Sequence, residues 1–120
     1  MALPKQHRLR HHKEFAAVYR YGDRCASTHL SMRGLKPGFI NASVNSPTRL
    51  GISISQKVSK RAVVRNRLKR QISAALYQLL PRLSQGWWLV ISVRANAVEC
   101  EYGQFLRELE DMLEKLEVIR

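Results

Sequence analysis

Leu68, Ile72, Leu76, Leu79 and Leu83 recur every three or four residues, the spacing of one helical face. At 100° per residue they form a stripe roughly 80° wide. Overlapping its start is Lys57-Val58-Ser59-Lys60-Arg61-Ala62-Val63-Val64-Arg65-Asn66-Arg67-Leu68-Lys69-Arg70, in which seven of fourteen residues are Lys or Arg and none is acidic. The pattern predicts one helix from this run to near Pro81, its C-terminal half buried and its N-terminal half a cationic surface. Lys60, Asn66, Arg67 and Arg70 project away from the stripe, while Arg61 and Arg65 continue its line. Like charges this dense repel one another, and a polyanion relieves them best. The competing reading is a solvated helix face. Against it, no Asp or Glu stands at i±3 or i±4 to offset the repulsion.

The whole chain shares this bias unevenly. Residues 1–98 hold 18 Lys or Arg against only Glu14 and Asp23, whereas residues 99–120 hold seven acids and three bases. A basic body with a net charge of +12 points to nucleic acid ahead of an anionic membrane surface. No apolar run approaches the roughly 18 residues of a membrane span, and the polar, His-rich N-terminus does not read as a signal peptide. Cys25 and Cys100 are too few for a disulfide framework and fit a reducing cytoplasm. With 120 residues, 45% of them hydrophobic, one domain with one core is expected over 1–120.

Residues 1–10 read as a basic, mostly irregular arm, and 11–21 as a short helix ended by Gly22. Phe15, Val18 and Tyr19 share one face of that helix, usually a core face. Their company of Arg8, Arg10, Lys13 and Arg20 also suits stacking on unpaired bases. His7, His11 and His12 include an i, i+4 pair able to hold a metal, but no Cys is near and only Glu14 could join. Charged histidines facing phosphate are the stronger reading.

Short strands are predicted between Arg24 and Ser55: one about Leu30 and Met32, one at Phe39–Val44, and one at Leu50–Ser55. In the last, Leu50, Ile52 and Ile54 face a core, while Gly51, Ser53 and Ser55 leave a shallow floor. A ligand could lie close there, or a helix could pack tightly. Gly86 to Val93 is apolar on both sides and should be a central strand covered on both faces, with Trp87 and Trp88 as packing residues. A second amphipathic helix, from about Tyr102 within an acidic-faced segment 100–117, buries Phe105, Leu106, Leu109, Met112, Leu113 and Leu116. It is expected on the back of the sheet, away from the polyanion. The order αβββαβα describes an α+β fold with a small four-stranded sheet. The general handedness rule makes the crossover through the basic helix right-handed if its flanking strands are parallel.

Metal-dependent cleavage of phosphodiesters needs convergent carboxylates, and the basic body has only two acids. No Ser-His-Asp set, Gly-rich phosphate loop or Cys-His zinc spacing is visible. The chain is equipped to hold nucleic acid rather than to cut it. A helix-turn-helix regulator is disfavoured because no second helix adjoins the basic one closely in sequence.

Arg65-Asn66-Arg67-Leu68-Lys69-Arg70, preceded by Gly51-Ile52-Ser53-Ile54-Ser55-Gln56-Lys57-Val58, resembles the signature of the protein subunit of bacterial ribonuclease P. Arg8-Leu9 with Phe15, Val18, Tyr19 and Gly22 is similar to that family's first helix, and Trp88-Leu89-Val90-Ile91 with Arg94 to its last strand. The resemblance spans roughly residues 7–116. Gln56 stands where a Lys is common, and Ser59-Lys60-Arg61 replaces a Gly-Asn type of turn, so the loop entering the helix can differ.

The resemblance implies a ribonucleoprotein that removes the 5′ leader of precursor tRNA by hydrolysis dependent on Mg²⁺, the ion being held mainly by a catalytic RNA subunit. It implies a left-handed crossover, against the general rule. It assigns Lys57, Lys60, Arg61, Arg65, Asn66, Arg67, Lys69 and Arg70 to the catalytic RNA. Phe15, Tyr19, Gly51, Ser53 and Ser55 would form a cleft for the leader, a single strand able to stack on aromatics. No residue of the chain is expected to be catalytic or to hold a metal, and the partners are the two RNAs, with no protein partner required. The alternative is a structural RNA-binding protein, such as a ribosomal protein.

Overall fold

The alternating side chains of Leu50–Ile52 and Leu89–Ile91 decide which side of each strand meets the core. The computed structural model describes residues 3–37 and 46–119. Within them lie strands β1 (Asp23–Ala26), β2 (Leu30–Leu35), β3 (Arg49–Ser53) and β4 (Trp88–Val93), in the spatial order β1-β2-β4-β3. β1 with β2 and β2 with β4 run antiparallel, whereas β3 and β4 are parallel. Helix α1 (His12–Tyr21) precedes β1, α2 (Ala62–Leu79) crosses from β3 to β4, and α3 (Tyr102–Lys115) follows β4. The class is α+β. β4 is central, as its apolar character on both sides requires.

Strand membership differs from the sequence reading. β1, Asp23-Arg24-Cys25-Ala26, is an edge strand with no apolar alternation to announce it, and it forms by hairpin pairing to β2. β3 ends at Ser53, two residues early. The strand expected at Phe39–Val44 lies outside the described residues. Helix α2 also starts later than the basic run, at Ala62. Ser55 Oγ accepts the Lys57 N–H at 3.3 Å and Ser59 Oγ accepts the Arg61 N–H at 3.2 Å. Such hydroxyl bonds hold the backbone in turns rather than helix. Buried Val58 pins the loop to the core.

The register sorts the sheet into two faces. Leu50, Leu89 and Gly34 stand in one row, and Ile52, Ile91, Met32 and Cys25 in the next. This face meets Leu68, Ile72, Leu76 and Leu79 of α2 and Phe105, Leu109, Met112 and Leu113 of α3 in the main core. Trp87 joins it. The opposite face holds a small cluster of Leu9, Val18, Leu35 and Val90, with Phe15 and Trp88 against it. Both tryptophans therefore pack, one on each side.

Two expectations about placement need correction. α3 is on the face opposite α1, but it is not remote from the basic helix: it packs directly beside α2 and reaches β1 and β2. Its own stripe of Leu109, Met112 and Leu113 is too wide to be covered by strands alone. The N-terminal arm is also more ordered than its composition suggests. Lys5–His7 makes one 3-10 turn, the Leu9 N–H donates to the Leu50 carbonyl at 3.0 Å, and Leu3 and Leu9 are buried. The arm thus extends the open edge of β3.

Candidate nucleic-acid interface

The cations of the 57–70 run surround the first turns of α2 rather than forming one flat face. Lys57 and Lys60 stand on the entering loop, Arg61 at the N-cap, and Asn66, Arg67, Lys69 and Arg70 are exposed on the helix. Arg65 is half-buried and donates to the Ser59 carbonyl at 2.7 Å, tying helix to loop. Arg67 reaches the Val98 carbonyl at 2.9 Å, on the side toward α3. Among the described residues, none of these cations has a carboxylate partner: the ion pairs there are Glu14–Arg49, His29–Glu108 and Arg82 with Glu110 and Glu114. The first turn of α2 has no acid and no side-chain cap. Its free N–H groups add positive potential to that of the side chains.

From α2 the surface continues into a cleft of about 410 Å³ at the free edge of β3, lined among others by Lys69, Arg8, Arg10, Phe15, Gly51 and Ile52. A cationic wall and an aromatic wall thus meet over the strand edge. Phe15 sits directly on Gly51: a Cβ built there would come within 2.6 Å of two ring carbons. Of the two sequence readings of the Gly-Ser face, tight helix packing is what Gly51 shows. Farther along, the face stays open.

The open part is a row of three serines, Ser53, Ser92 and Ser31, aligned across β3, β4 and β2. Tyr19 stands over it, 39% exposed, with its hydroxyl 3.3 Å from Ser92 Oγ. Arg33 holds the ring, its guanidinium carbon 5.2 Å from the centroid and its Nη1 donating to the Tyr19 carbonyl at 3.0 Å. That carbonyl belongs to the last turn of α1, where a cation is favoured. Ser55 lies past the strand on the loop to α2 and is exposed. Phe15 and Tyr19 therefore serve adjacent rows of one face, and the serine row leads toward the loop carrying Lys57 and Lys60.

The profile of the family described as ribonuclease P matches residues 3–117. The chain belongs to the ribonuclease P protein family. Ribonuclease P protein components from a Cyanothece species and from Microcystis aeruginosa are each 50% identical to it, covering 98% and 99% of this chain and 97% and 98% of their own. The ribonuclease P protein of Staphylococcus aureus superposes with a TM-score of 0.81 at 24% identity, over 97% of this chain and 100% of its own. That of Thermotoga maritima gives 0.75 at 20%, over 90% and 96%, so the fold is shared by both. Membership makes the chain a protein component of ribonuclease P, a ribonucleoprotein endoribonuclease that matures tRNA 5′ ends.

Metal-dependent cleavage by the protein itself would need convergent carboxylates, and the two in the basic body are far apart in role and place. Glu14 caps α1, accepting the N–H groups of His11 at 2.9 Å and Arg10 at 3.2 Å, and pairs with Arg49 at 3.1 Å. Asp23 lies across the sheet on β1. The histidines are likewise dispersed. His7 Nδ1 meets the Thr48 carbonyl at 2.8 Å in the arm, His11 is the N-cap of α1, and exposed His12 opens the helix, so the i, i+4 pair shares no helical face.

Sequence reasoning did not single out Ser31, Ser92 or Arg33. Their signal is the period of two: Ser92 is on the Val90 side of β4, and the register carries that side to Ser53 and Ser31. Arg8 and Arg10 stood out as basic neighbours of α1, and Arg8 also as part of the resemblance, but neither as a cleft residue. No pattern in the arm announced that it would wall a cleft.

Proposed function

We propose that the basic surface around α2 binds the catalytic RNA of ribonuclease P and that the adjoining cleft and serine row hold the 5′ leader of precursor tRNA. On this reading Lys57, Lys60, Arg61, Arg65, Asn66, Arg67, Lys69 and Arg70 contact the RNA subunit. Phe15 and Tyr19 offer ring faces to unpaired bases, and Gly51, Ser53 and Ser55 keep the floor low. The supporting observation is the continuity of the two surfaces: Lys69 of the basic helix and Phe15 of α1 line one cleft. A single strand can follow cations with its backbone while its bases stack, whereas a duplex keeps its bases inside.

The protein then positions RNA, and hydrolysis uses Mg²⁺ held mainly by the RNA subunit. The protein works with that RNA and precursor tRNA in the cytoplasm, without a further protein. No helix among the described residues is long and apolar enough to cross a membrane. The test is cleavage of precursor tRNA by the RNA subunit with and without the protein. The protein should raise cleavage by the RNA and show none alone. Metal-dependent cleavage by rigorously RNA-free protein would overturn the division of labour, and RNA binding with no gain in cleavage would favour the structural RNA-binding reading.

A further inference from the structure

At the β1–β2 turn, three side chains from separate parts of the chain converge. A ring nitrogen of His29, the sulfur of Cys100 and a carboxylate oxygen of Glu108 all lie within 4.8 Å of one another. His29 ends the β1–β2 turn, Cys100 joins β4 to α3, and Glu108 faces them from α3. The Glu108 carboxylate grips the turn twice, accepting the His29 backbone N–H at 2.8 Å and meeting Nδ1 at 2.6 Å. Arg94 N–H donates to the His29 carbonyl at 2.9 Å, and Asn96 Nδ2 to the Thr28 carbonyl at 3.1 Å, so the turn is held from several sides.

We propose that His29, Cys100 and Glu108 form a structural site for a nitrogen- and sulfur-preferring divalent cation, Zn²⁺ above all. Imidazole, thiolate and carboxylate are its three protein ligand types, and Mg²⁺ would not choose this set. Tetrahedral bonds of about 2.0–2.3 Å put ligand atoms about 3.3–3.5 Å apart, so wider separations must close and the 2.6 Å contact of His29 Nδ1 with Glu108 must open, by side-chain shifts of roughly an ångström. Coordination replaces the thiol proton, which passes to solvent, and a water or Glu99 completes the shell. Burial holds the thiol protonated, and the carboxylates beside it favour a cation. Burial pushes the Cys100 thiol up, and the charges of Glu108 and Glu99 add to the shift. A divalent ion would compensate these negative groups. It would also clamp the hairpin turn to α3, strengthening the fold.

The experiment is titration of the full-length, chelator-treated protein with Co²⁺ alone, followed by thiolate-to-cobalt charge-transfer absorption, with melting curves in Zn²⁺. One equivalent should give the band and Zn²⁺ should raise the Tm. Cys100→Ser should abolish the band, and His29→Gln should weaken binding by at least about tenfold, the scale of losing a partner at a metal site. Absence of the band in the unsubstituted protein overturns the proposal. So does a band that survives Cys100→Ser, which would place the metal at Cys25. Binding without a thiolate band would assign it to the arm histidines and also overturn it. Should the variants fail to fold, cadmium NMR on the unsubstituted protein decides: a shift for mixed sulfur and nitrogen ligands supports the site, and one for oxygen ligands alone excludes it.

Discussion

The two faces of the sheet are made from the same strands and serve opposite ends. Toward α2 and α3, Leu30, Met32, Leu89 and Ile91 are wholly buried beneath two long amphipathic helices. Toward α1, the buried apolar cluster among the described residues is small, Leu9, Val18, Leu35 and Val90, and the row Ser53–Ser92–Ser31 lies under a single partly exposed tyrosine. The cause is partly length: α1 has 10 residues, against 18 in α2 and 14 in α3. A ten-residue helix spans about 15 Å and cannot cover a four-stranded face. Stability is thereby concentrated on one face, and the other keeps small polar side chains partly exposed.

The largest effect should come from breaking the sealed face. Leu76→Ala removes a fully buried side chain from the centre of α2 and should cost about 2–5 kcal/mol in denaturant unfolding. RNA affinity per folded molecule should be retained. A loss under about 1 kcal/mol would mean that stability is not concentrated there.

On the open face, Phe15→Ala should weaken binding of precursor tRNA by about 1–3 kcal/mol relative to mature tRNA, the scale of one stacked base. Phe15 is half-buried on Gly51, so some stability will be lost as well. Affinities for both tRNAs, measured beside a melting curve, separate the two contributions. An equal loss for both would make Phe15 a packing residue only.

The basic helix sharpens the comparison within one element. Arg65→Ala and Arg67→Ala should each weaken binding to the catalytic RNA by about 1–3 kcal/mol if the guanidinium makes a charge-assisted contact. Arg65 ties Ser59 to the helix from a half-buried position, so its loss should lower stability by about 0.5–1.5 kcal/mol, while the bond of exposed Arg67 to the Val98 carbonyl competes with water and its loss should cost less. Equal stability losses would contradict this distinction.

The smallest effect is set by pH, on the sealed side. Burial opposes the charge of Glu108, but hydrogen bonds from the His29 N–H and ring, one from Ser27 and the field of His29 outweigh it and hold the carboxyl below its ordinary value. A carboxylate with a lowered folded-state value stabilises the fold above the ordinary carboxylate range. That contribution is lost as pH falls through the lowered value. In chelated buffer, Glu108→Gln should therefore flatten the acid limb of the Tm–pH curve. A limb of unchanged steepness would show that the His29–Glu108 latch contributes nothing there.

Much of this was legible in the residues. The α2 stripe of Leu68, Ile72, Leu76 and Leu79 and the doubly apolar β4 announced their roles through periodicity, because each period places side chains on a definite side. The unpaired charge of 57–70 announced a polyanion for a reason equally local, the lack of acids within a helical turn. The resemblance added the activity, and with it the proposed division of the site into RNA and leader surfaces.

What was not legible depends on partners distant in sequence. β1 has no pattern of its own and exists through its ladder with β2. The start of α2 was settled by the hydroxyls of Ser55 and Ser59, which favour turns at positions where the charge run continued unbroken. Whether Gly51 would be floor or seat depended on where Phe15 landed, and the serine row existed only once the register aligned residues 31, 53 and 92. His29, Cys100 and Glu108 carry no motif because their ligand atoms meet through a hairpin turn, a connection and a helix. The chain by itself determined what each segment needed to bury or expose, since that is a property of local spacing. Which surfaces met was decided by the tertiary structure, because contact between distant residues follows from strand register and helix length together.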